Sequence, residues 1–311
     1  MAACLLTGCG IYGKYTRPDM EIEAQYRHAE NTADTATIAS LSWREFFTDT
    51  CLQALIEHGL QRNTDLQIAH LKVEEAEAVL MNTRLSYLPA LSLSPEADVG
   101  RYVGNTSKTY RIAASASWEL DIFGKNTNAR RGASAALDGS RDYVQAVQTR
   151  LIATIADSYY TLLMLDRQFN IGKQTLESWE KSIRTLEALK RAGKANDAAV
   201  LQARANRIAL ESSILALRKS IADTENSLTA LLALPSQHIA RGTLLETTLP
   251  ESVSVGIPVQ LLANRPDVRQ AERNLAQAFY ATNAARAAFY PNISLSGMLG
   301  WTNNSGGSIL N

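Results

Sequence analysis

The amino-acid sequence predicts a mainly α-helical fold that is internally duplicated and interrupted by β-strands. Three observations predict it: a long stretch with helical spacing of apolar residues, a shorter stretch of strict alternation, and a repeat at a constant offset. The chain has 311 residues, of which 46% are hydrophobic and 20% are charged. This composition is that of a folded protein and excludes an intrinsically disordered one.

The repeat aligns residues 65–94 with residues 267–296 without a gap, at an offset of 202. Eight positions are identical: Asp65/Asp267, Ala69/Ala271, Ala76/Ala278, Arg84/Arg286, Pro89/Pro291 and Ser92-Leu93-Ser94/Ser294-Leu295-Ser296. The shared Pro-x-x-Ser-Leu-Ser ending makes chance a poor explanation, so we interpret the chain as the product of a duplication. By this offset Asn311 corresponds to Thr109. We therefore expect an unfinished second copy and a complete protein about 130 residues longer.

The first copy begins with a helix and continues into strands. Residues 63 to about 88 carry apolar side chains at three- and four-residue steps, and Pro89 ends this helix. Residues 109–122 alternate between apolar and polar side chains, which predicts a strand with one apolar face, as between lipid and water. Its partner is expected near 91–103, with 104–108 as the exposed loop. An ordinary half-buried hairpin fits this pattern equally well.

A stretch of about 67 residues from Gly124 to Ala192 contains no proline and repeats apolar residues at steps of three, four and seven. It predicts one very long helix, on the order of 100 Å at 1.5 Å per residue. The segment from Arg191 to Asp197 predicts a tight reversal, with Gly193 ending the helix.

A second helix is expected from the reversal to about Leu234, capped at its start by Asn196 or Asp197. It carries an apolar heptad series, and we expect it to pack along the first helix as a coiled coil. The series consists of Leu201, Ile208, Leu215 and Ala222, and it lies beside Leu210, Ile214, Leu217, Ile221 and Leu228. The apolar faces of both helices are broad, which favours assembly with further copies of the chain.

The N-terminal segment Leu6-Thr7-Gly8-Cys9 looks like a bacterial lipobox, which predicts a covalent lipid on Cys9 after cleavage. A short buried apolar start with a chance cysteine is the alternative, and the missing Lys/Arg-rich leader either favours it or implies that the true start lies upstream. With 31 basic and 31 acidic side chains, the balance of charge excludes a polybasic nucleic-acid binder. No run of about 18 apolar residues occurs, so the sequence predicts no membrane-spanning helix.

No pattern predicts an enzyme, a cofactor site or a metal site. Ser178 and Lys181 match Ser-x-x-Lys, but they lie on the predicted long helix without the partner motifs of such enzymes. The four histidines form no His-x-x-His or His-Glu-x-x-His pair, and no P-loop or Gly-x-Gly-x-x-Gly segment occurs. The sequence therefore predicts a protein that binds or conducts and catalyses nothing.

Two specific motifs carry a family resemblance. Residues 118–125 read Trp-Glu-Leu-Asp-Ile-Phe-Gly-Lys, and residues 261–275 read Leu-Leu-Ala-Asn-Arg-Pro-Asp-Val-Arg-Gln-Ala-Glu-Arg-Asn-Leu. With further matching residues from Cys9 onward, the chain resembles the TolC-like outer membrane factors, in particular the lipoprotein branch that serves RND-type efflux pumps. The resemblance spans nearly the whole chain. It departs in the short leader and in the absent second strand pair and second long hairpin.

The resemblance implies an outer membrane channel of a Gram-negative bacterium that passively exports small molecules. Three copies would form a twelve-stranded β-barrel in the outer membrane and an α-barrel of long helical hairpins in the periplasm. A periplasmic adaptor protein and an inner-membrane RND-type pump would be the partners, and no cofactor beyond the lipid on Cys9 is expected. No gate residue can be named, because the family's gate lies on the second hairpin, and the transported substrate stays open.

The resemblance also implies a division of the chain. Residues 1–8 would be a signal remnant and 9–62 a lipidated segment with the equatorial region. The first repeat would comprise 63–234, with a strand pair at about 90–123 and a helical hairpin at about 126–234. An equatorial linker at 235–262 and the incomplete second repeat at 263–311 would follow.

The helical reversal would be the periplasmic tip that meets the adaptor. We expect Arg191, Gly193 and Asp197 to contact it, since the bare backbone of Gly193 permits close approach. Plain helix capping is the alternative role of this glycine. Two alternative functions stay open: a lipid-anchored coiled-coil scaffold or adaptor of the envelope, and the outer component of a type I protein secretion system.

Overall fold

The structure is a computed structural model that describes residues 12–18, 42–102, 104–246 and 264–303. The helices are α1 (Trp43–Phe46), α2 (Thr50–Arg62), α3 (Thr64–Leu85), α4 (Lys125–Arg191), α5 (Asp197–Leu231) and α6 (Pro266–Ala287). The strands are β1 (Ala90–Tyr102), β2 (Asn105–Leu120) and β3 (Ile293–Asn303), and a short 3₁₀ turn spans Leu244–Glu246. Among the described residues, no helix is both long enough and apolar enough to cross a membrane.

The chain forms two compact units. One comprises the described residues within 1–21, 71–143 and 266–311, and the other comprises those within 22–70 and 144–265. The first unit holds the sheet and the helix segments next to it. The second holds α1, α2, α5 and the greater part of α4.

The sheet is antiparallel and runs in the order β1–β2–β3. Its first hairpin is tighter than expected: the ladder extends to the pair Tyr102 and Asn105, and β2 begins at Asn105. The prediction of an exposed loop at 104–108 is therefore wrong. Gly104, with a φ of 87°, supplies the left-handed conformation of a short turn, and the residues after it pair instead of looping out.

The structure reproduces the duplication. Helices α3 and α6 each contain 22 residues, and both their first and their last positions differ by the offset of 202. The strand after each helix follows the same offset, since Leu91 near the start of β1 corresponds to Ile293 at the start of β3. Equivalent segments thus form equivalent elements, as expected for two copies of one helix–strand unit.

In the first unit, α4 contacts both α3 and α6. Two glycines of α4, seven residues apart, let α6 approach closely: a Cβ on Gly132 would lie 3.6 Å from Tyr280 Cβ, and one on Gly139 would lie 3.3 Å from Arg273 Cβ. On the α3 side, Arg141 donates to Glu77 at 3.0 Å. The small residues therefore mark the face of α4 that packs against the second copy.

In the second unit, α4 and α5 form the predicted hairpin, and the lengths of the two helices confirm the helical interpretation. Of the apolar positions predicted to pack against α4, Leu201, Ile208 and Leu215 do not do so, because each is at least 61% exposed. The predicted positions Ile214 and Leu228 are buried, on a second face that also includes Val200 and Ala203. A Cβ on Gly172 of α4 would lie 3.0 Å from Ile214 Cγ1, so this second face is the one that meets α4.

Two polar clusters hold the segment after α5. The buried hydroxyl of Tyr159 donates to Asp49 at 2.6 Å and accepts the Gly242 N–H, and burial together with Asp49 raises its pKa. Arg241 forms a two-point ion pair with Asp166 and a further one with Glu225. Burial opposes ionisation of Glu225, but the bonds from Arg241 and the Ile239 N–H outweigh it and lower the pKa of this carboxyl.

The C-terminus of α5 contains a strained residue. Ala233 has a φ of 54°, whereas the other described residues with positive φ are glycines. Two bonds close the end, from the Ala233 N–H to Ala230 O at 3.1 Å and from the Leu234 N–H to Thr229 O at 2.8 Å. This is a Schellman motif with alanine at the position that glycine usually occupies.

Replacing Ala233 with glycine is expected to stabilise the protein by about 1 kcal/mol, because glycine adopts positive φ without the Cβ clash. Urea denaturation of the purified chain measures the change. Ala230→Gly is the matched control, since a glycine within the helix costs about 0.5–1 kcal/mol. A destabilised Ala233→Gly variant would show that the left-handed conformation is not present.

Candidate functional site

The register of the sheet sorts the strand residues into two faces of opposite character. Residues directly opposite each other share a face, and one face is almost entirely apolar. Its apolar members are Leu91, Leu93, Pro95, Ala97, Val99, Tyr110, Ile112, Ala114, Ala116, Trp118, Leu120, Ile293, Leu295, Gly297, Leu299 and Trp301, and the apolar part ends at the charged residues Arg101 and Lys108 near the turn. The alternation seen in β2 therefore continues on both neighbouring strands.

The apolar face is uncovered within the described part of the chain. Leu91 is 79% exposed, Leu299 is 82% exposed and Leu295 is 65% exposed. A contiguous apolar surface of this kind is unfavourable in water and marks contact with lipid or with another protein. The face thus requires an apolar environment that the described part of the chain does not supply.

The opposite face carries hydroxyl and charged side chains. Ser92 Oγ and Ser115 Oγ lie 2.6 Å apart across β1 and β2, and Arg111 donates to Glu96 at 3.2 Å on the same face. Met298, opposite Ser115, is the large apolar exception. These cross-strand polar pairs suit a surface in contact with water.

Aromatic residues lie at both ends of the apolar stretch of β2. Tyr110 and Trp118 are the first and last of nine residues, and a membrane-spanning strand needs about 9–11 residues. The Trp118 indole donates to the Tyr87 carbonyl at 2.9 Å, which fixes one end, and Trp301 on β3 lies opposite Ile112 near the other end. Outer-membrane strands carry such aromatic girdles at the two interfaces.

The Trp-Glu-Leu-Asp-Ile-Phe-Gly-Lys motif builds the corner where β2 becomes α4. The Asp121 carboxylate accepts bonds from the backbone N–H groups of Asn126 and Thr127 at 2.9 and 2.7 Å, and so caps α4. Gly124 makes the turn with a φ of 73°, and Lys125 pairs with Glu119 at 3.0 Å. Sequence reasoning missed the role of Asp121, although an aspartate just before a long helix is a recognisable capping signal.

The corner also joins the two copies of the duplication. Phe123 of the first copy stacks on Tyr290 of the second, with ring centroids 4.8 Å apart and planes 13° apart. Within the Leu-Leu-Ala-Asn-Arg-Pro-Asp motif region, Arg269 and Arg273 both approach Asp142 of α4, at 3.0 and 3.8 Å. The two family motifs therefore fasten the second copy to the first.

The structure brings the three predicted tip residues together in one reversal. Gly193 has a φ of 71°, and the bonds Gly193 N–H to Lys190 O and Lys194 N–H to Leu189 O form a Schellman motif. Asn196, and not Asp197, caps α5 by accepting the Ala199 N–H at 3.0 Å. A Cβ on Gly193 would meet no atom within 4 Å, so this backbone is open to approach.

The remaining tip residues are exposed. Arg191 is the last residue of α4, and Asp197 is the first residue of α5, where it forms an ion pair with Lys190. Further ion pairs between Arg204 and Glu187 and between Arg207 and Glu180 connect the helices below the tip. Cys9, the predicted lipidation residue, lies outside the described residues.

Comparison with known proteins identifies the family. Residues 55–234 and 257–309 match the family described as outer membrane efflux protein. The chain belongs to this family. It is 31% identical to the cation efflux system protein CusC of Escherichia coli, over 99% of the chain and 69% of that protein. It is 30% identical to the toluene efflux pump outer membrane protein TtgC of Pseudomonas putida, over 96% of the chain and 65% of the relative.

Further relatives belong to the same class of outer membrane proteins. The probable outer membrane lipoprotein SilC of Salmonella typhimurium is 31% identical over 94% of the chain and 65% of that protein. Among solved structures, the outer-membrane channel OprN aligns with a TM-score of 0.85 and 28% identity, over 96% of this chain and 69% of OprN. The chain therefore spans about two thirds of the length of these members of the family.

These comparisons confirm the predicted fold class, with long helical hairpins and outer-membrane strands. They also confirm that the chain is an outer membrane efflux channel protein, like the relatives named above, and not an enzyme. The half-buried soluble hairpin and the non-conducting scaffold, which the sequence left open, do not fit this family.

Proposed function

We propose that three copies of the chain assemble into one conduit whose polar sheet face lines a water-filled passage and whose apolar face contacts lipid. The observation that carries this proposal is the separation of apolar and polar side chains onto the two faces of β1–β2–β3. Among the described strands, β1 and β3 are both edges. Closure of such edges between copies satisfies the backbone groups that lipid cannot.

The helices supply a second argument for assembly. Leu201, Ile208 and Leu215 form an exposed apolar stripe at seven-residue spacing along α5, on a face that α4 does not cover. A heptad stripe of this kind is the usual seam between long helices. A neighbouring copy of the chain would bury it, which agrees with the trimer implied by the family resemblance.

The partners and the anchor complete the proposal. The open backbone at Gly193 and the exposed side chains of Arg191 and Asp197 offer a surface to a periplasmic adaptor, which an RND-type pump would supply with solute. Acylation of Cys9 would hold the N-terminus on the membrane, and the description of SilC as a probable outer membrane lipoprotein supports it. The channel itself would be passive.

The solute would be chosen elsewhere in the assembly. The relatives are named for cation efflux in one case and for toluene efflux in another, although both are about equally similar to this chain. Chemically unlike solutes thus leave through similar outer channels. We propose that this chain conducts small solutes delivered to it and does not itself select between them.

The orientation of the sheet is tested by two neighbouring residues of β2 on opposite faces, Ala114 and Ser115. Ala114→Arg places a charge at the middle of the nine-residue span. It is expected to lower the stability of the folded protein in the membrane by about 2–4 kcal/mol. Ser115→Arg points into the passage and should assemble nearly normally. Quantifying folded protein in isolated outer membranes compares them, and equal loss from both, or loss from Ser115→Arg alone, would refute the orientation.

Native mass spectrometry of the assembled protein tests the trimer and the anchor together. We expect three copies, each beginning at Cys9 and each carrying the mass of attached acyl chains. A Cys9→Ala variant is the control and should lack the lipid mass. A single unmodified chain as the only species would contradict both parts of this proposal.

The tip is tested by Gly193→Asn. Asparagine tolerates positive φ, so the turn should persist, while the added side chain obstructs the approach of a partner. We expect unchanged assembly, adaptor affinity reduced about tenfold, equivalent to about 1.4 kcal/mol, and correspondingly weaker export. Lys194→Asn, one position along, is the control. Unaltered affinity would assign Gly193 to helix capping alone.

A further inference from the structure

Asn63 lies between α2 and α3, and its buried side chain touches two helix ends. Its Nδ2 donates to the Leu231 carbonyl at the C-terminus of α5 at 2.9 Å. Its Oδ1 accepts the Leu66 N–H in the first turn of α3, also at 2.9 Å. The residue is only 5% exposed, so water does not compete for these bonds.

Both partners are groups that the helices themselves leave unsatisfied. At the end of α5, the carbonyls of Leu228, Thr229 and Ala230 accept bonds from the residues that follow, and the Leu231 carbonyl is the next in the series. At the start of α3, the Leu66 N–H lies too early to have a carbonyl one turn back within that helix. A buried unsatisfied group of either kind costs free energy.

We propose that Asn63 is a positioning residue that splices α5 to α3, with one side-chain amide capping the end of one helix and the start of the other. Asparagine suits this role because it carries a donor and an acceptor on a short side chain, whereas Asp and Ser caps supply chiefly an acceptor. The contact fixes which turn of α5 meets the start of α3. This role does not depend on what the channel conducts.

The splice lies beside α4. A Cβ on Gly59, four residues before Asn63, would come within 2.6 Å of Ile155 Cδ1 and 3.2 Å of Leu232 Cδ2. The end of α2 and the end of α5 thus converge on the same part of α4. Asn63, which follows α2 and donates to Leu231 of α5, lies at this point.

The duplication shows that the splice belongs to the first copy. At the offset of 202, Asn63 corresponds to Arg265, which immediately precedes α6. An arginine side chain has five donors and no acceptor, so it cannot cap the start of a helix as Asn63 does. The two copies therefore begin their helices by different means.

Asn63→Asp separates a splice from an ordinary cap. Aspartate accepts the Leu66 N–H as well as asparagine does and suits a helix N-terminus, but as a carboxylate it cannot donate to Leu231. Hydrogen exchange of the full-length chain at pH 7 is the measurement. We expect unchanged protection in the first turn of α3 and at least tenfold faster exchange at residues 231–234.

Protonation supplies a second readout. Burial and the facing Leu231 carbonyl raise the pKa of the introduced carboxyl group, whereas the Leu66 N–H and the N-terminus of α3 lower it. Below that pKa it can donate again, and the protection of residues 231–234 should return toward the wild-type value as the pH falls. A merely local disturbance would show no such recovery.

Asn63→Ser repeats the test without a charge, since the hydroxyl can cap α3 but is too short to reach α5 as well. Asn196→Asp is the matched control at the ordinary cap of α5 and should leave exchange unaltered. Wild-type protection of residues 231–234 in both Asn63 variants, or loss confined to the first turn of α3, would overturn the proposal and leave Asn63 as a simple N-cap.

Discussion

The 67-residue helix α4 is longer than any other described element of the chain, and its apolar positions must be covered in sections. In one unit α5 covers it, and in the other α3 and α6 do. Every change from one section to the next requires the chain to end a helix and begin another. Because each helix end leaves backbone groups without partners, much of the remaining structure serves to satisfy those groups.

The solutions differ with burial. At the exposed tip, a glycine in the left-handed conformation and an asparagine cap suffice, because water satisfies what the motif leaves. At the sheet corner, the Asp121 carboxylate caps α4 while Gly124 makes the turn. Where α5 ends against α3 the site is dry, and there the chain accepts Ala233 at positive φ and uses Asn63 for the remaining carbonyl. Buried helix ends therefore demand the more specialised side chains.

Much of this fold could be predicted from the sequence because periodicity is a local property. The long helix, the reversal at Gly193 and the offset of 202 all follow from spacing along the chain. The prediction was wrong where pairing between elements decides: residues 105–108 belong to the β1–β2 ladder, and Leu201, Ile208 and Leu215 of α5 do not meet α4. The bond from Asn63 to Leu231 and the arginine partners of Asp142 could not be predicted, because each of these contacts joins residues that are distant in sequence.

The duplication explains why the two copies look alike in backbone and unlike in side chains. Tyr87 donates its hydroxyl to Thr127 at 3.0 Å, whereas its counterpart Phe289 has no hydroxyl and is 91% exposed. Tyr290, next to it, instead stacks on Phe123. The two copies cannot keep identical contacts, because the first is followed by α4 and the second packs onto it. The helices and strands of the two copies keep the same bounds because hydrogen-bonded elements tolerate many side chains. The positions that contact a neighbouring element diverge to fit it. A two-faced sheet can accommodate both copies for the same reason, since it requires only that the apolar and polar residues alternate in step.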